Sequence, residues 1–394
     1  MATDIVILDG ARTAIGTFGG SLAAISPIAL ATSAAKEAMA RAGVEGGQIG
    51  HVVFGHVINT EPRDMYLSRV AALDAGVPDS APAMNVNRLC GSGAQAIVSC
   101  MQALVMGDAD FALAGGAESM SRAPYALTAA RWGQKMGDTG AVDMMVGALT
   151  CPMGTGHMGV TAENVAAETR ISREDQDAFA LESQNRAGAA IRDGRFAGQI
   201  TPVEVKVKRE TVGFATDEHP KPATAEGLAR LRPAFKKEGT VTAGNASGLN
   251  DGAAALVLAT AEAAAKAGLA PRARILGYAV AGVPAHVMGI GPVAAVGRLL
   301  ERTGLAIGDF DVIESNEAFA AQAIAVNRGL GLDPAKVNPN GGAIALGHPL
   351  GATGAILTIK ALYELERTGG RRALVTMCIG GGQGISLALE SMAA

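Results

Sequence analysis

Asn338-Pro339-Asn340-Gly341-Gly342-Ala343-Ile344-Ala345-Leu346-Gly347-His348-Pro349-Leu350-Gly351-Ala352-Thr353-Gly354 opens the most chemistry-rich stretch of the chain. A helical run follows from Ala355 to about Arg367. An apolar strand, Ala373-Leu374-Val375-Thr376-Met377, then ends in Cys378-Ile379-Gly380-Gly381-Gly382-Gln383-Gly384. A glycine run just past a buried strand lets the backbone approach a ligand and turn its N–H groups toward it. A thiol at that strand end and a histidine in a glycine-lined loop are what thiol chemistry requires. Taken singly, each piece also reads as a turn or a core residue.

The surroundings fix the class. At 394 residues the chain is too long for one ordinary core. A hydrophobic content of 49% with only 4% aromatics means a tightly packed core of Ala, Val, Leu and Ile, which favours layered α/β architecture. A net charge of −4 gives no basic footprint for nucleic acid. No apolar run reaches the roughly 18 residues a bilayer span needs, and the N-terminal Met1–Leu8 reads as a strand rather than a signal peptide. The C-terminal Ser391-Met392-Ala393-Ala394 is no address tag. Cys90, Cys100, Cys151 and Cys378 show no CxxC spacing, so no metal site is expected, and their use fits reduced thiols in a cytoplasm.

Reading outward, Ser26-Pro27 starts a helix that stops at Gly43, His51–Gly55 is a strand, and a short helix fits Ser68–Ala75. Strand Ala83–Val86 delivers Asn87-Arg88-Leu89-Cys90-Gly91-Ser92-Gly93, and a helix follows to Met106. Phe111–Ala114 is expected to end as a strand at Gly115-Gly116, and the alternation implies a mixed, largely parallel sheet. From about Ser119 to Asn250 the pattern breaks into loops rich in Met, Pro and aromatics around two helices, which reads as a functional insertion laid over the sheet. The βα pattern then resumes. His51-Val52-Val53 matches Asp311-Val312-Ile313, Cys90–Ala94 matches Gly351–Ala355, and Gly115-Gly116 matches Gly380-Gly381, at offsets of 260, 261 and 265. The near-constant offset implies two similar halves whose strand ends meet at one site.

Cys90 lies between a strand and a helix start, where N–H groups and the helix dipole are expected to lower a thiol pKa. Cys100, among apolar neighbours on the same helix, reads as structural. Carbon deprotonation by a second thiol would need donors for the enolate oxygen, and Asn316 stands at a strand end where one is wanted. A helix cap is the other reading of that asparagine.

Together, Asn87–Gly93, Asn316-Glu317-Ala318-Phe319-Ala320, Gly341–Pro349 and Cys378–Gly382 resemble the active-site motifs of the thiolases, in order and at that family's spacing over essentially the whole chain. The likeness is nearest to bacterial acetyl-CoA acetyltransferases and β-ketothiolases. It implies a five-layered α/β/α/β/α fold: an N-terminal half from residues 1–120 and 249–270, a coenzyme A-binding and oligomerising loop domain at 121–248, and a C-terminal half at 271–394. It also implies roles. Cys90 would be the acylated nucleophile, His348 its base and Cys378 the acid/base at the α-carbon. Asn316 (through a water) and His348 would form one oxyanion hole, and the N–H groups of Cys90 and Gly380 the other. His157, Met158 and Ser247 match pantetheine-lining positions, and Phe235, Met288, Ala318 and Phe319 match apolar walls. Lys221 stands where many relatives carry an arginine for the coenzyme's adenine and phosphates. The Cys151–Gly156 stretch has no counterpart in the pattern.

The resemblance thus implies condensation of two acyl-CoA thioesters to a 3-oxoacyl-CoA, or the reverse cleavage. Coenzyme A would be substrate and product, with no permanently bound cofactor, and the enzyme a homotetramer, or failing that a dimer. A degradative 3-ketoacyl-CoA thiolase with longer-chain preference is the alternative. A decarboxylating ketosynthase would place a second histidine at Asn316 and need no Cys378. A non-catalytic binder fits poorly because every catalytic side chain is present. Gly380-Gly381-Gly382 is not the GxGxxG of a nicotinamide dehydrogenase.

Overall fold

A computed structural model describes residues 4–392; the expected strand residues Met1–Thr3 and the final Ala393-Ala394 lie outside the described residues. In chain order, the elements that matter begin with β1 (Ile5–Thr13) and α1 (Pro27–Ala42). Then come β2 (His51–Gly55), α2 (Leu67–Asp74), β3 (Ala83–Val86), α3 (Ser92–Met106) and β4 (Phe111–Ser119). The insertion carries α4 (Met158–Thr169) and α5 (Arg173–Arg192). The pattern resumes with β5 (Asn250–Thr260), β6 (Ala273–Gly282), α6 (Gly291–Thr303), β7 (Val312–Ser315) and α7 (Ala320–Leu330). It closes with α8 (Thr353–Thr368), β8 (Arg372–Ile379) and β9 (Gln383–Ser391).

The punctuation read from the sequence works as expected. Ser26 caps α1 by accepting from the Ala29 N–H at 3.2 Å, Pro27 takes the first turn, and Gly43 leaves the helix at φ 65°. Ser172 caps α5 in the same way through Asp175 N–H, at 3.0 Å.

Strand order shows the two halves directly. The first runs β3-β2-β4-β5-β1; the second runs β7-β8-β9-β6, with Val337 bridging to Ile313 in place of an outer strand. β2 with β4 and β7 with β8 pair in parallel, whereas β4–β5, β5–β1, β8–β9 and β9–β6 are antiparallel. β1 and β6 join the halves through Val6–Arg274 and Ile7–Ala273. The sheet is therefore mixed with an antiparallel centre, not largely parallel. Gly380–Gly382 links β8 to β9 as a tight turn, and a turn that short can only return the chain antiparallel.

Two further expectations need correction. β4 does not stop at Gly115 but runs on to Ser119 against β5. Its glycines are there because a Cβ at Gly116 would overlap the Gly351 carbonyl and one at Gly115 the Phe54 ring. Register also rejects one repeat match. Phe54 pairs with Gly115 and Glu314 with Val375, so Gly115 corresponds to Val375, at the same offset of 260 as the strands, and not to Gly380.

Strand alternation sorts the layers. Ile7, Leu256, Val375 and Leu387 face a middle layer in which Ile97 and Val98 of α3 meet Ile356 and Ile359 of α8. Val6, Leu8 and Val257 face α1 on one outside, and Ile313, Leu374 and Ala388 face Val296 and Leu299 of α6 on the other. This is the five-layered α/β/α/β/α arrangement. Leu89–Met106 has the length and hydropathy of a membrane span, but it is the half of that middle layer sandwiched between sheets.

The helix crossing rests on glycine. Cβ atoms at Gly55 and Gly93 would lie 2.7 and 3.0 Å from the Gly351 carbonyl oxygen, and one at Gly354 would overlap Ala94. Gly354→Ala should cost about 1–3 kcal/mol by overpacking. Gly297→Ala, in α6 with open space around its Cα, should be neutral or stabilising by up to about 1 kcal/mol. Urea unfolding of both variants checks the contrast.

Candidate active site

Cys90 is delivered by a strained turn. β3 ends at Val86, and Leu89 sits at φ 46°, a conformation that costs a branched residue about 1–3 kcal/mol. Short bonds over-determine it: Asn87 Oδ1 accepts from Leu89 N–H at 3.0 Å, and Ser92 Oγ accepts from Arg88 N–H at 2.9 Å while donating to Leu89 O at 2.6 Å. The half-buried Cys90 thiol opens on a cavity of about 390 Å³. Its sulfur is within hydrogen-bonding reach of two N–H groups, those of Gly380 and Cys90 itself.

The expected lowering of the Cys90 pKa is not found. Burial pushes it up to about 11; the Gly380 and Cys90 N–H groups pull the other way, and the Glu118 carboxylate adds to the rise. Desolvation outweighs the helix start because apolar side chains wall the site. The resting Cys90 is a neutral thiol, and as a nucleophile it would need a base.

His348 is placed where such a base would stand. It shares the cavity with Cys90, and burial holds its imidazole down at about 4, so it is neutral. Asn250 Oδ1 accepts from the His348 N–H at 2.9 Å, Thr353 Oγ lies 2.6 Å from Nδ1, and Asn316 Nδ2 lies 3.4 Å from Nε2. Asn316 is fully buried behind the cavity wall, fixed by its N–H to Thr376 O at 3.0 Å. Its Oδ1 has no protein partner, and a buried orphan of this kind calls for an ordered water. It does not cap α7, whose cap position is Phe319. Cys378 is likewise fully buried, packed among Met158, Met288, Ala318 and Phe319, with Cys151 in the same cluster. Burial raises its pKa, and the neighbouring Cys90 sulfur raises it further, which puts the two thiols within electrostatic reach.

The insertion supplies the cavity's outer walls. His157 caps α4, its Nδ1 accepting from Gly159 N–H at 3.1 Å, and its ring stacks on Phe235 at 4.8 Å. Phe235 meets Phe319 edge-on at 6.0 Å. Since Nδ1 is an acceptor and burial keeps the ring neutral, Nε2 carries a proton for a ligand. Ala246 bridges to Phe319, with Ser247 N–H donating to Ala318 O at 3.0 Å, so the Ser247 loop and the Asn316 loop form one surface. Met158, Phe235, Ser247, Met288, Ala318, Phe319 and Gly380 all line the cavity.

Lys221 does not. It lines a separate surface cleft with Gln184, Asn185 and Arg192, its N–H bonded to Gln184 Oε1 at 3.0 Å. The residues before it explain why. Asp217 binds Arg12 through both oxygens at 2.7 and 2.9 Å, Glu218 accepts from Thr17 and Ser21, and His219 meets Asn250. This stretch is tethered to the core, which sets Lys221 outside the apolar cavity. Cys100 is fully buried against Leu113 O, as expected for a structural thiol.

Sequence reasoning missed Met120, Met145, Leu249 and Leu350, which complete the apolar lining. It also missed Asn250, Thr353 and Glu118, which hold the catalytic loops from behind. Only their nearness in sequence to glycine runs could have flagged them. Among the described residues no cluster of ligating side chains could hold a metal.

Neutral partners give a pH signature. Wild-type acylation of Cys90 should be flat from about pH 6 to 9, because the thiol and imidazole keep their resting forms between about 4 and about 11. In His348→Asn the rate should fall and then climb about tenfold per pH unit, as only the thiolate fraction reacts. Stopped-flow release of coenzyme A measures both.

Comparison with known proteins agrees with this geometry. The chain matches the thiolase N-terminal domain over residues 5–262 and the thiolase C-terminal domain over residues 269–391. It is 61% identical over 392 residues to a protein named Beta-ketothiolase BktB from Cupriavidus necator, covering 99% of this chain and 100% of that one. The crystal structure of Bacillus anthracis acetyl-CoA acetyltransferase superposes with a TM-score of 0.97 at 45% identity, covering 99% of both chains. Human mitochondrial 3-ketoacyl-CoA thiolase in complex with CoA superposes at 0.96 with 43% identity, covering 100% of this chain and 99% of that one. The chain belongs to the thiolase family.

Proposed function

We propose that this protein is a condensing thiolase, an acyltransferase that joins two short acyl-CoA thioesters into a 3-oxoacyl-CoA and free coenzyme A and can run the reverse cleavage. The observation that carries the reading is the Cys90 thiol in an apolar cavity, against the Gly380 and Cys90 N–H groups and beside a neutral His348. The β-ketothiolase and acetyl-CoA acetyltransferase relatives support short-chain condensation over long-chain degradation. Free thiols among the described residues are consistent with work in a reducing cytoplasm.

His348 Nε2 takes the Cys90 proton as sulfur attacks the thioester carbonyl. The oxygen that becomes negative is received by the N–H groups of Cys90 and Gly380. Coenzyme A leaves as a thiolate and acquires its proton from Cys378, so acyl transfer does not wait on that proton. Cys378 is now a buried thiolate, and the burial that raises its pKa makes it a strong base. It removes a proton from the α-carbon of the second acyl-CoA, while imidazolium His348 and the Asn316 water face the enolate oxygen. The enolate carbon attacks the acyl-Cys90 carbonyl and expels the Cys90 sulfur, which recovers its proton from His348.

Acetyl-CoA alone should leave an acetyl group on Cys90 by intact mass and peptide mapping; label on Cys100 or Cys151 instead would refute the assignment. Cys378→Ala should keep most acetyl exchange between acetyl-CoA and labelled coenzyme A. It should lose about 10²–10⁴-fold in condensation and in exchange of acetyl-CoA methyl protons with deuterated water. Equal loss of both activities would mean the thiols act as one unit.

We propose further that the protein is a tetramer, or failing that a dimer. The Ser121–Ala148 segment exposes Trp132 by 88% and Met136 by 90%, alongside Tyr125 and Leu127. β3 has one edge unpaired among the described residues, flanked by exposed Met65, Tyr66 and Met84. Light scattering should give at least twice the chain mass at micromolar concentration, and a monomer contradicts both states.

A further inference from the structure

We propose that Thr353 is a positioning residue that fixes the tautomer of His348, holding a proton on Nδ1 so that Nε2 is free to act as base. The inference rests on the role given above to His348.

The Thr353 hydroxyl is fully enclosed and has two neighbours within bonding distance: His348 Nδ1 at 2.6 Å and Pro349 O at 2.9 Å. A hydroxyl has one proton to give. The carbonyl can only accept, so a proton donated to Pro349 O leaves a lone pair facing Nδ1. Pro349 O also accepts from the Ala352 and Thr353 N–H groups, but a hydroxyl turned away from it toward Nδ1 would set two oxygen lone pairs against each other at 2.9 Å. Both contacts are hydrogen bonds only when Nδ1 carries the hydrogen. Nε2 is then bare and faces the Asn316 Nδ2 group, a donor, at 3.4 Å. The neighbours on both sides of the ring ask for the same tautomer.

The pseudo-symmetric position shows what differs. Thr353 occupies the first position of α8, as Ser92 does in α3, 261 residues earlier. Ser92 Oγ accepts from the Arg88 N–H and donates to the Leu89 carbonyl. At that offset Arg88 corresponds to Pro349, which has no N–H and offers Thr353 its carbonyl instead, so the hydroxyl's accepting side is left to the His348 ring.

Burial makes the question a real one, because an imidazole kept neutral has one proton and two places to put it. The experiment uses the full-length protein with ¹⁵N-labelled histidine, the His348 signals being assigned by their loss in His348→Asn. In the wild type, Nδ1 should show the shift of a protonated nitrogen and Nε2 that of a bare one. Thr353→Val, which keeps the shape and removes the hydroxyl, should mix the tautomers. It should lower kcat about 10- to 100-fold with KM within about 3-fold. Thr353→Ser should restore both the spectrum and kcat to within about 3-fold. A proton on Nε2 in the wild type overturns the proposal, even if Thr353→Val does not fold. So does a Thr353→Val enzyme with kcat within about 3-fold of the wild type, or a Thr353→Ser enzyme as impaired as Thr353→Val. If His348 were not the base, His348→Asn would acylate Cys90 at the wild-type rate while the wild-type spectrum still showed the Nδ1 proton, so the two failures are distinguishable.

Discussion

The site depends on two helix starts coming closer than side chains permit. The Gly351 carbonyl is enclosed by Gly55, Gly93 and Gly116, and Gly354 lies on Ala94. Backbone-to-backbone approach of this kind is open only to residues without a Cβ. α3 begins two residues after Cys90 and α8 five residues after His348. Bringing these starts together therefore sets Cys90 and His348 on one cavity. Glu118 reinforces the contact, accepting from Gly351 N–H at 2.8 Å and from Val57 and Ile58 across the same junction. Its burial costs free energy that its N–H donors offset, and its residual charge is one reason the Cys90 thiol stays protonated.

Around that junction, buried charges act as fasteners more than as sources of stability. Arg12 and Asp217 are both enclosed and form a two-bonded pair that holds the insertion to β1. Lys360, in α8, reaches Glu314 at 2.6 Å and Gly341 O at 2.8 Å, linking the strand before Asn316 to the loop before His348. Glu317 accepts from Ser183, Asn338 and Ile344, fixing both loops to α5. Such pairs gain little net free energy against their desolvation, but losing one partner strands a charge at about 3–5 kcal/mol. Their effect is to allow one arrangement of the loops and penalise the rest.

What the sequence revealed follows from the range over which each signal acts. Helix ends at Ser26 and Gly43 and at Ser172, and the strand that leads to the Cys90 turn, are set by neighbours a few residues away, and they were legible. The candidate catalytic set was picked out by its motifs, not by physics alone: Asn316 read equally well as a cap. Strand direction was misread, although the Gly380–Gly382 link is far shorter than the dozen or more residues that a parallel crossover needs. Gly115-Gly116 looked like a strand end because the groups that need those side chains to be missing, Phe54 and the Ala254 carbonyl at Gly115 and the Gly351 carbonyl at Gly116, are all distant in sequence. The Cys90 pKa was misjudged for the same reason. A helix start is local, but the burial that overrides it is assembled from the whole fold. Lys221 was assigned by analogy alone, and its position outside the cavity is set by the bonds of Asp217 and Glu218 just before it.

Burial gives these catalytic groups a common character. It raises both thiols and lowers the imidazole, so the resting site carries no charge on any of the three. A preformed thiolate–imidazolium pair would meet water and oxidants between turnovers; a neutral set reacts only when a thioester brings a carbonyl to the waiting N–H groups. The same low-polarity surroundings then strengthen every charge that appears, from the first tetrahedral oxyanion to the enolate. A carbon acid as weak as a thioester needs a base that is stronger than an ordinary thiolate in water. In the proposed mechanism full burial of Cys378 would provide that base, with its basicity held back until its proton has left. The apolar wall of Met158, Met288 and Phe319 around Cys378 is thus part of the acid–base chemistry as well as the packing.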